Sequence, residues 1–153
     1  MKKERRPQIA VVGSSDADPE TIALAVEAGR VIASLGAVLI CGGLGGIMEA
    51  TARGAKEKGG LTVGILPDYR KESANPNIDL VIPTGLGHAR NIVVAASGDV
   101  VVALPGSHGT RSEVSVALKL SKAVIGLRAW GEIPGVSQVN SIEELKEKLL
   151  PYF

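Results

Sequence analysis

Asp99–Glu113 reads DVVVALPGSHGTRSE, and this stretch decides the fold. Five apolar residues follow Asp99, three of them valine, a run suited to a strand buried on both faces. Pro105-Gly106-Ser107-His108-Gly109 breaks the run. A helical pattern then extends from about Thr110 to Lys122. A buried strand, a Gly-rich turn and a helix, in that order, form part of a βαβ unit and imply a parallel sheet.

The same succession recurs on both sides. Gln8–Val12 is a strand ending at Gly13-Ser14-Ser15, after which Asp18 reads as an N-cap and Pro19 as the first helical residue. That helix runs to Leu35 and stops at Gly36. Ala37–Cys41 is a strand running into Gly42-Gly43-Leu44-Gly45-Gly46, and a helix over Ile47–Lys58 closes at Gly59-Gly60. Leu61–Leu66 is a third strand, stopped by Pro67. Asp68–Pro76 is polar and aperiodic, hence a loop and a candidate flap. Leu80–Ile82 is a short strand, and Leu86–Ser97 a helix with His88, Arg90 and Asn91 near its start. Its run Ile92–Ala96 is apolar nearly all round, which suits a core helix or a dimer interface. Downstream, Ala123–Leu127 is a strand, and Arg128–Asn140 contains Gly and Pro without a clear pattern. Ser141 with Glu144 is a capping box opening a last helix to about Leu150. The expected fold is a single-domain, Rossmann-like α/β architecture, doubly wound and mostly parallel, with helices on both faces. The domain is expected to span 1–153, with a flexible basic tail at 1–7.

Bulk properties narrow the partners. The 153 residues are 45% hydrophobic and 22% charged, enough for one core without metal or disulfide staples. A net charge of +1 calls for no polyanion, and 3% aromatics argue against stacking platforms for single strands. Lys2, Lys3, Arg5 and Arg6 read as a solvated tail, so neither nucleic acid nor membrane is an expected partner. The lone Cys41 cannot form an intrachain disulfide, and no apolar run is long enough for a signal peptide or a span. A cytoplasmic location is the expectation.

Doubly wound folds bind ligands at the carboxyl ends of their strands. Three turns fall at that edge: Gly13-Ser14-Ser15, Gly42–Gly46 and Pro105–Gly109. Gly42, Gly43, Gly45 and Gly46 exceed what a tight turn needs, and a helix start follows them, so the loop reads as an anion cradle. It is neither a Walker A loop nor a dinucleotide fingerprint. In the third turn Gly106, Ser107, Gly109 and Thr110 offer N–H and hydroxyl donors to a phosphate. Thr110-x-x-Glu113 also matches a capping box, which needs no substrate; the two roles are compatible. Ser14 and Ser15 suit phosphate or ribose contact, and His88-Ala89-Arg90 suits phosphate. His88 and His108 lack carboxylate or Cys neighbours at ligand spacing, so no metal is expected. Cys41 reads as a buried, inert thiol.

Taken together, GGLGGIMEA (42–50) and LPGSHGTRSE (104–113) resemble the paired GGGxxGLM and PGGxGTxxE motifs of the LONELY GUY-like superfamily, once labelled "possible lysine decarboxylase". The similarity extends from about Ile9 to Leu127 and includes HARN at His88–Asn91. The resemblance implies a Rossmann-like fold, homodimers or assemblies of dimers, and a phosphorylated small molecule, expected to be a nucleotide, as ligand. In well-known members it implies hydrolysis of the N-glycosidic bond of nucleoside 5′-monophosphates to base and ribose 5-phosphate. Arg90 and Glu113 fall on the catalytic arginine and glutamate. Gly42, Gly43, Gly46 and Met48 match the first motif, and Pro105, Gly106, Gly109 and Thr110 the second.

Four features depart from the hydrolase pattern: Asn91 in place of Lys, Ser107 in place of Gly, Glu49 in place of a small residue, and the GSSDAD opening. They resemble a smaller branch similar to the molybdenum cofactor carrier protein of algae, a binder. Two functions are therefore expected: a phosphoribohydrolase, or alternatively a non-catalytic carrier of a phosphorylated ligand such as molybdenum cofactor or a nucleotide. In the first, Glu113 acts on water or on oxocarbenium charge, Arg90 holds ribose and phosphate, and no second carboxylate is an obvious acid beyond a neighbour such as Asp16. Lysine decarboxylation is not expected, because pyridoxal chemistry needs a Schiff-base lysine and neither Gly-rich motif contains one. No bound cofactor of the protein's own is called for.

Overall fold

The computed structural model describes residues 4–153. Seven strands form one sheet: β1 (Gln8–Val12), β2 (Val38–Cys41), β3 (Thr62–Leu66), β4 (Leu80–Pro83), β5 (Val100–Ala103), β6 (Ala123–Leu127) and β7 (Val136–Val139). Their order is β4-β3-β2-β1-β5-β6-β7. Every neighbouring pair is parallel, more uniform than the mostly parallel sheet expected. The five α-helices are α1 (Pro19–Ser34), α2 (Ile47–Glu57), α3 (Arg90–Ser97), α4 (His108–Lys119) and α5 (Ile142–Leu149).

Strand alternation divides the apolar side chains between two layers. Ile9, Val11, Leu39, Cys41, Val100 and Val102 point to the face covered by α1, α2 and α5. Ala10, Val12, Ile40, Val101 and Ala103 point to the face covered by α3 and α4. Val100, Val101 and Val102 are fully buried, as a central parallel strand requires.

Local signals account for most boundaries. Asp18 caps α1 by accepting from Thr21 N–H at 2.7 Å, and Gly36 follows with φ +87°. Ser141 caps α5, accepting from Glu144 N–H at 3.2 Å. Helices α1 and α2 touch backbone to backbone: a Cβ on Gly29 would stand 2.0 Å from Thr51 O, and one on Gly54 2.0 Å from Val26 O.

Four expectations are revised. The helix expected from Leu86 begins as a 3-10 turn, Gly87–Ala89, and becomes α-helical only at Arg90; Gly85 and Gly87 take positive φ there. Helix α4 starts at His108, not Thr110. Arg128–Asn140 contains β7, an edge strand. The basic segment is tethered from Arg5 onward: Arg5 pairs with Asp99 at 2.6 Å, and Arg6 Nε donates to Gly36 O at 3.3 Å. Lys2 and Lys3 lie outside the described residues. No helix among the described residues is long and apolar enough to cross a membrane.

Candidate functional site

The chain reverses its direction of winding between β1 and β5, so their carboxyl ends open a crevice at the centre of the sheet. Ser14 spans it. Its N–H donates to Pro105 O at 3.0 Å, and its C=O accepts from Ile47 N–H at 2.9 Å. One residue thus joins the loops after β1, β2 and β5. Its hydroxyl accepts from Asp16 N–H at 3.0 Å, a local turn bond. Gly13 lies against Ile47, while Ser15 is exposed.

The β2 loop turns its carbonyls inward. Gly43 O accepts from Asn75 N–H at 2.9 Å, and Leu44 O from Asn75 Nδ2 at 2.8 Å. The N–H groups of Leu44, Gly45 and Gly46 have no acceptor among the described residues. Gly46 takes φ +64°, and a Cβ there would stand 2.5 Å from Ser14 O. Only glycine allows the two loops this approach.

In the β5 loop the Thr110–Glu113 capping box is not formed. The helix begins two residues earlier, with Ser107 at the N-cap and no side-chain capping bond. Thr110 and Glu113 are therefore interior helical residues, and both are buried. The first-turn N–H groups of His108, Gly109 and Thr110 are left free by helix geometry. Pro105 and Gly106 are half-buried; Ser107, His108 and Gly109 are exposed.

Arg90 enters from the first turn of α3. Only 8% of it is exposed. Its guanidinium lies beside Gly42 and the sulfur of Met48: a Cβ on Gly42 would be 2.7 Å from Arg90 Nη2 and from Met48 Sδ. Nη1 donates to Asn91 Oδ1, and Nε is buried without a partner. Asn91 Nδ2 donates to Ser112 Oγ at 3.4 Å, which in turn donates to Gly109 O at 2.7 Å. Burial lowers the Arg90 pKa, opposed by the Glu113 charge. Burial pushes the Glu113 carboxyl up to about 7, only partly offset by Arg90. The pair makes no direct ion bridge; desolvation outweighs attraction at both groups.

This is the architecture matched by the profile of the SLOG cluster4 family, which covers residues 6–150. The chain belongs to the SLOG cluster4 family. Among curated proteins, it is 32% identical to the cytokinin riboside 5′-monophosphate phosphoribohydrolase of Mycobacterium tuberculosis, over 80% of this chain and 71% of that protein. Among solved structures, the molybdenum cofactor binding protein of Rippkaea orientalis superposes with a TM-score of 0.92 at 36% identity, over 98% of this chain and 99% of that one. The molybdenum cofactor carrier protein of Chlamydomonas reinhardtii gives a TM-score of 0.86 at 32% identity, over 96% and 98% of the two chains.

Within this SLOG cluster4 chain, Gly42, Met48, Arg90, Asn91, Gly109 and Glu113 come together, beside the loops that Ser14 joins. His88 and His108 are exposed, and neither side chain hydrogen-bonds another of the described residues. Among the described residues, no three His, Cys, Asp or Glu side chains cluster as a metal site would require. Cys41 is fully buried, and burial pushes its thiol up to about 11, matching the inert reading. Three residues escaped the sequence reading: Asn75, Ser112 and Trp130. The Trp130 indole N–H donates to Gly106 O at 3.2 Å, and Arg111 stacks over its ring, 5.4 Å from the centroid. Asn75 lies in the segment expected as a flap, but its backbone and side chain are bound to the β2 loop.

Proposed function

We propose that this chain is a binding and carrier protein for a phosphate-bearing small molecule of the molybdenum cofactor class. The phosphate sits on Gly106–Thr110, with Arg90 and the loops of Gly13–Ser15 and Gly42–Gly46 lining the rest. The observation that carries the reading is Ser14, whose backbone draws three loops with unused N–H groups into one crevice. The full-length similarity to molybdenum cofactor binding proteins supports the same cargo class. Glycosidic hydrolysis ordinarily uses one group as acid and another as base or nucleophile. Glu113 is the only buried carboxylate among the described residues, and at neutral pH it is partly protonated.

A second reading, nucleotide phosphoribohydrolase, is favoured by Glu113 lying near Arg90 in that crevice and by the mycobacterial relative. One experiment separates them. The protein is incubated with nucleoside monophosphates, and released base and ribose 5-phosphate are measured beside calorimetric binding of the molybdenum cofactor and of AMP. Binding without release supports the carrier. Release abolished by Glu113→Ala and by Arg90→Ala replaces it with the hydrolase.

Homodimers belong to the same proposal. Seven strands span about 29 Å at the usual spacing, while two helices cover about 20 Å. On the α3–α4 face, Leu80 and Ile82 of β4 are left half exposed, and Ile92 of α3 is 53% exposed. A second copy of the chain would cover them. Sedimentation showing a monomer at micromolar concentration overturns this.

A further inference from the structure

The loop Pro105–Gly109 is held by its carbonyls from two sides. Pro105 O accepts from Ser14 N–H at 3.0 Å, and Gly106 O accepts from the Trp130 indole at 3.2 Å. Trp130 comes from the segment between β6 and β7, far from the Gly-rich motifs in sequence. A trans peptide group is planar, and its C=O and N–H point in opposite directions. Gly106 O and Ser107 N–H belong to one such plane. Fixing the carbonyl against the indole therefore turns the Ser107 N–H away from Trp130. The Ser107 N–H has no acceptor among the described residues. The indole is itself held: Arg111, one turn into α4, stacks over its ring.

Gly106 has no side chain with which to resist rotation. A Cβ there would stand 2.1 Å from Thr110 Oγ1, so glycine is required, and with it comes a floppy peptide. An external clamp restores the rigidity that an anion cradle needs.

We infer that Trp130 is a positioning residue for the candidate phosphate loop, its indole N–H orienting the Gly106–Ser107 peptide so that the Ser107 N–H is presented to the ligand. The inference rests on the binding reading above, but the clamp itself is observable in the free protein. Trp130 is the only tryptophan, so its indole gives a single proton–nitrogen resonance.

The test compares wild type with Trp130→Phe, which keeps a ring for Arg111 and loses the donor. Amide resonances and exchange rates of Gly106–Gly109 are recorded in the free proteins. AMP and inorganic phosphate are then titrated calorimetrically, and the wild-type indole resonance is followed during the titration. In Trp130→Phe the Ser107 amide resonance is expected to shift, and AMP to bind about five- to tenfold more weakly, at an unchanged melting temperature. In wild type, phosphate is expected to move the indole resonance. An unaltered Ser107 amide with AMP affinity within about twofold of wild type overturns the inference and leaves the binding reading standing. A wild type that binds neither probe overturns the assignment of Pro105–Gly109 as a phosphate loop, and the Ser107 amide still decides the clamp. Should the variant fail to fold, an indole resonance indifferent to saturating phosphate overturns the inference.

Discussion

Arg90 of α3 and Glu113 of α4 are both buried, 8% and 7% exposed, and sense each other's charge without a salt bridge. Burial raises the Glu113 carboxyl to about 7 despite the neighbouring cation. The consequence for stability follows from linkage. The unfolded glutamate loses its proton near the ordinary value of 4.5, while the folded one keeps it until about 7. Between those values the folded state binds more protons, so stability falls as pH rises and levels off above about 7. The full difference corresponds to about 3 kcal/mol. Glu113→Gln should flatten this component of the profile and raise stability above neutrality. Thermal melts from pH 4 to 9 check it; parallel profiles for the two proteins would refute it.

The approach of Gly46 to Ser14 makes a second prediction. Gly46→Ala places a Cβ 2.5 Å from Ser14 O at φ +64°, so the β1 and β2 loops must part. A cost of about 2–4 kcal/mol is expected, from strain plus lost loop bonds. Gly45→Ala is the control: nothing lies within 4 Å of its Cβ position, and its φ is not positive. Chemical denaturation should find the control within about 0.5 kcal/mol of wild type. Equal losses at both positions would count against the lacing of the loops.

The repeated order of strand, glycine turn and helix made the sheet legible, because each β-branched run is short and bounded by Gly or Pro. Strand β7 was not, since Val136-Ser137-Gln138-Val139 is a half-covered edge directly after Pro134-Gly135. The start of α4 was misplaced because Thr110-x-x-Glu113 imitates a cap, whereas Ser107 ends the loop without any side-chain bond. Three loops at one edge followed from topology alone. The convergence of Arg90 and Glu113 came from resemblance, as no local pattern brings α3 beside α4. Trp130 and Asn75 act across 24 and 32 residues of sequence, and such contacts leave no periodic trace.

Cys41 offers a test of burial at the carboxyl end of β2. It is fully buried, with a thiol pushed up to about 11. Thiolate is the reactive form, so the native protein should resist alkylation at pH 8. Denaturant should release one reactive thiol per chain, matching the single cysteine. Iodoacetamide labelling followed by mass spectrometry measures this. Rapid native labelling would mean that the end of β2 opens.

The contact of α1 with α2 gives the sharpest sign prediction. In an isolated helix, replacing Gly by Ala stabilises by about 1 kcal/mol. Here Gly29 and Gly54 lie where the two backbones meet, and a methyl group at either would sit 2.0 Å from a carbonyl oxygen of the other helix. Backbone cannot yield as a flexible side chain can, so the helices must separate. Gly29→Ala and Gly54→Ala should each destabilise by about 3 kcal/mol or more, opposite in sign to the helix propensity. Combined, they should cost less than the sum, because the first separation relieves the second clash. Gly131→Ala, with nothing within 4 Å of its Cβ position, should be nearly neutral. Urea unfolding of the four variants measures both the sign and the coupling; stabilisation by either single replacement would show that α1 and α2 stand farther apart in solution.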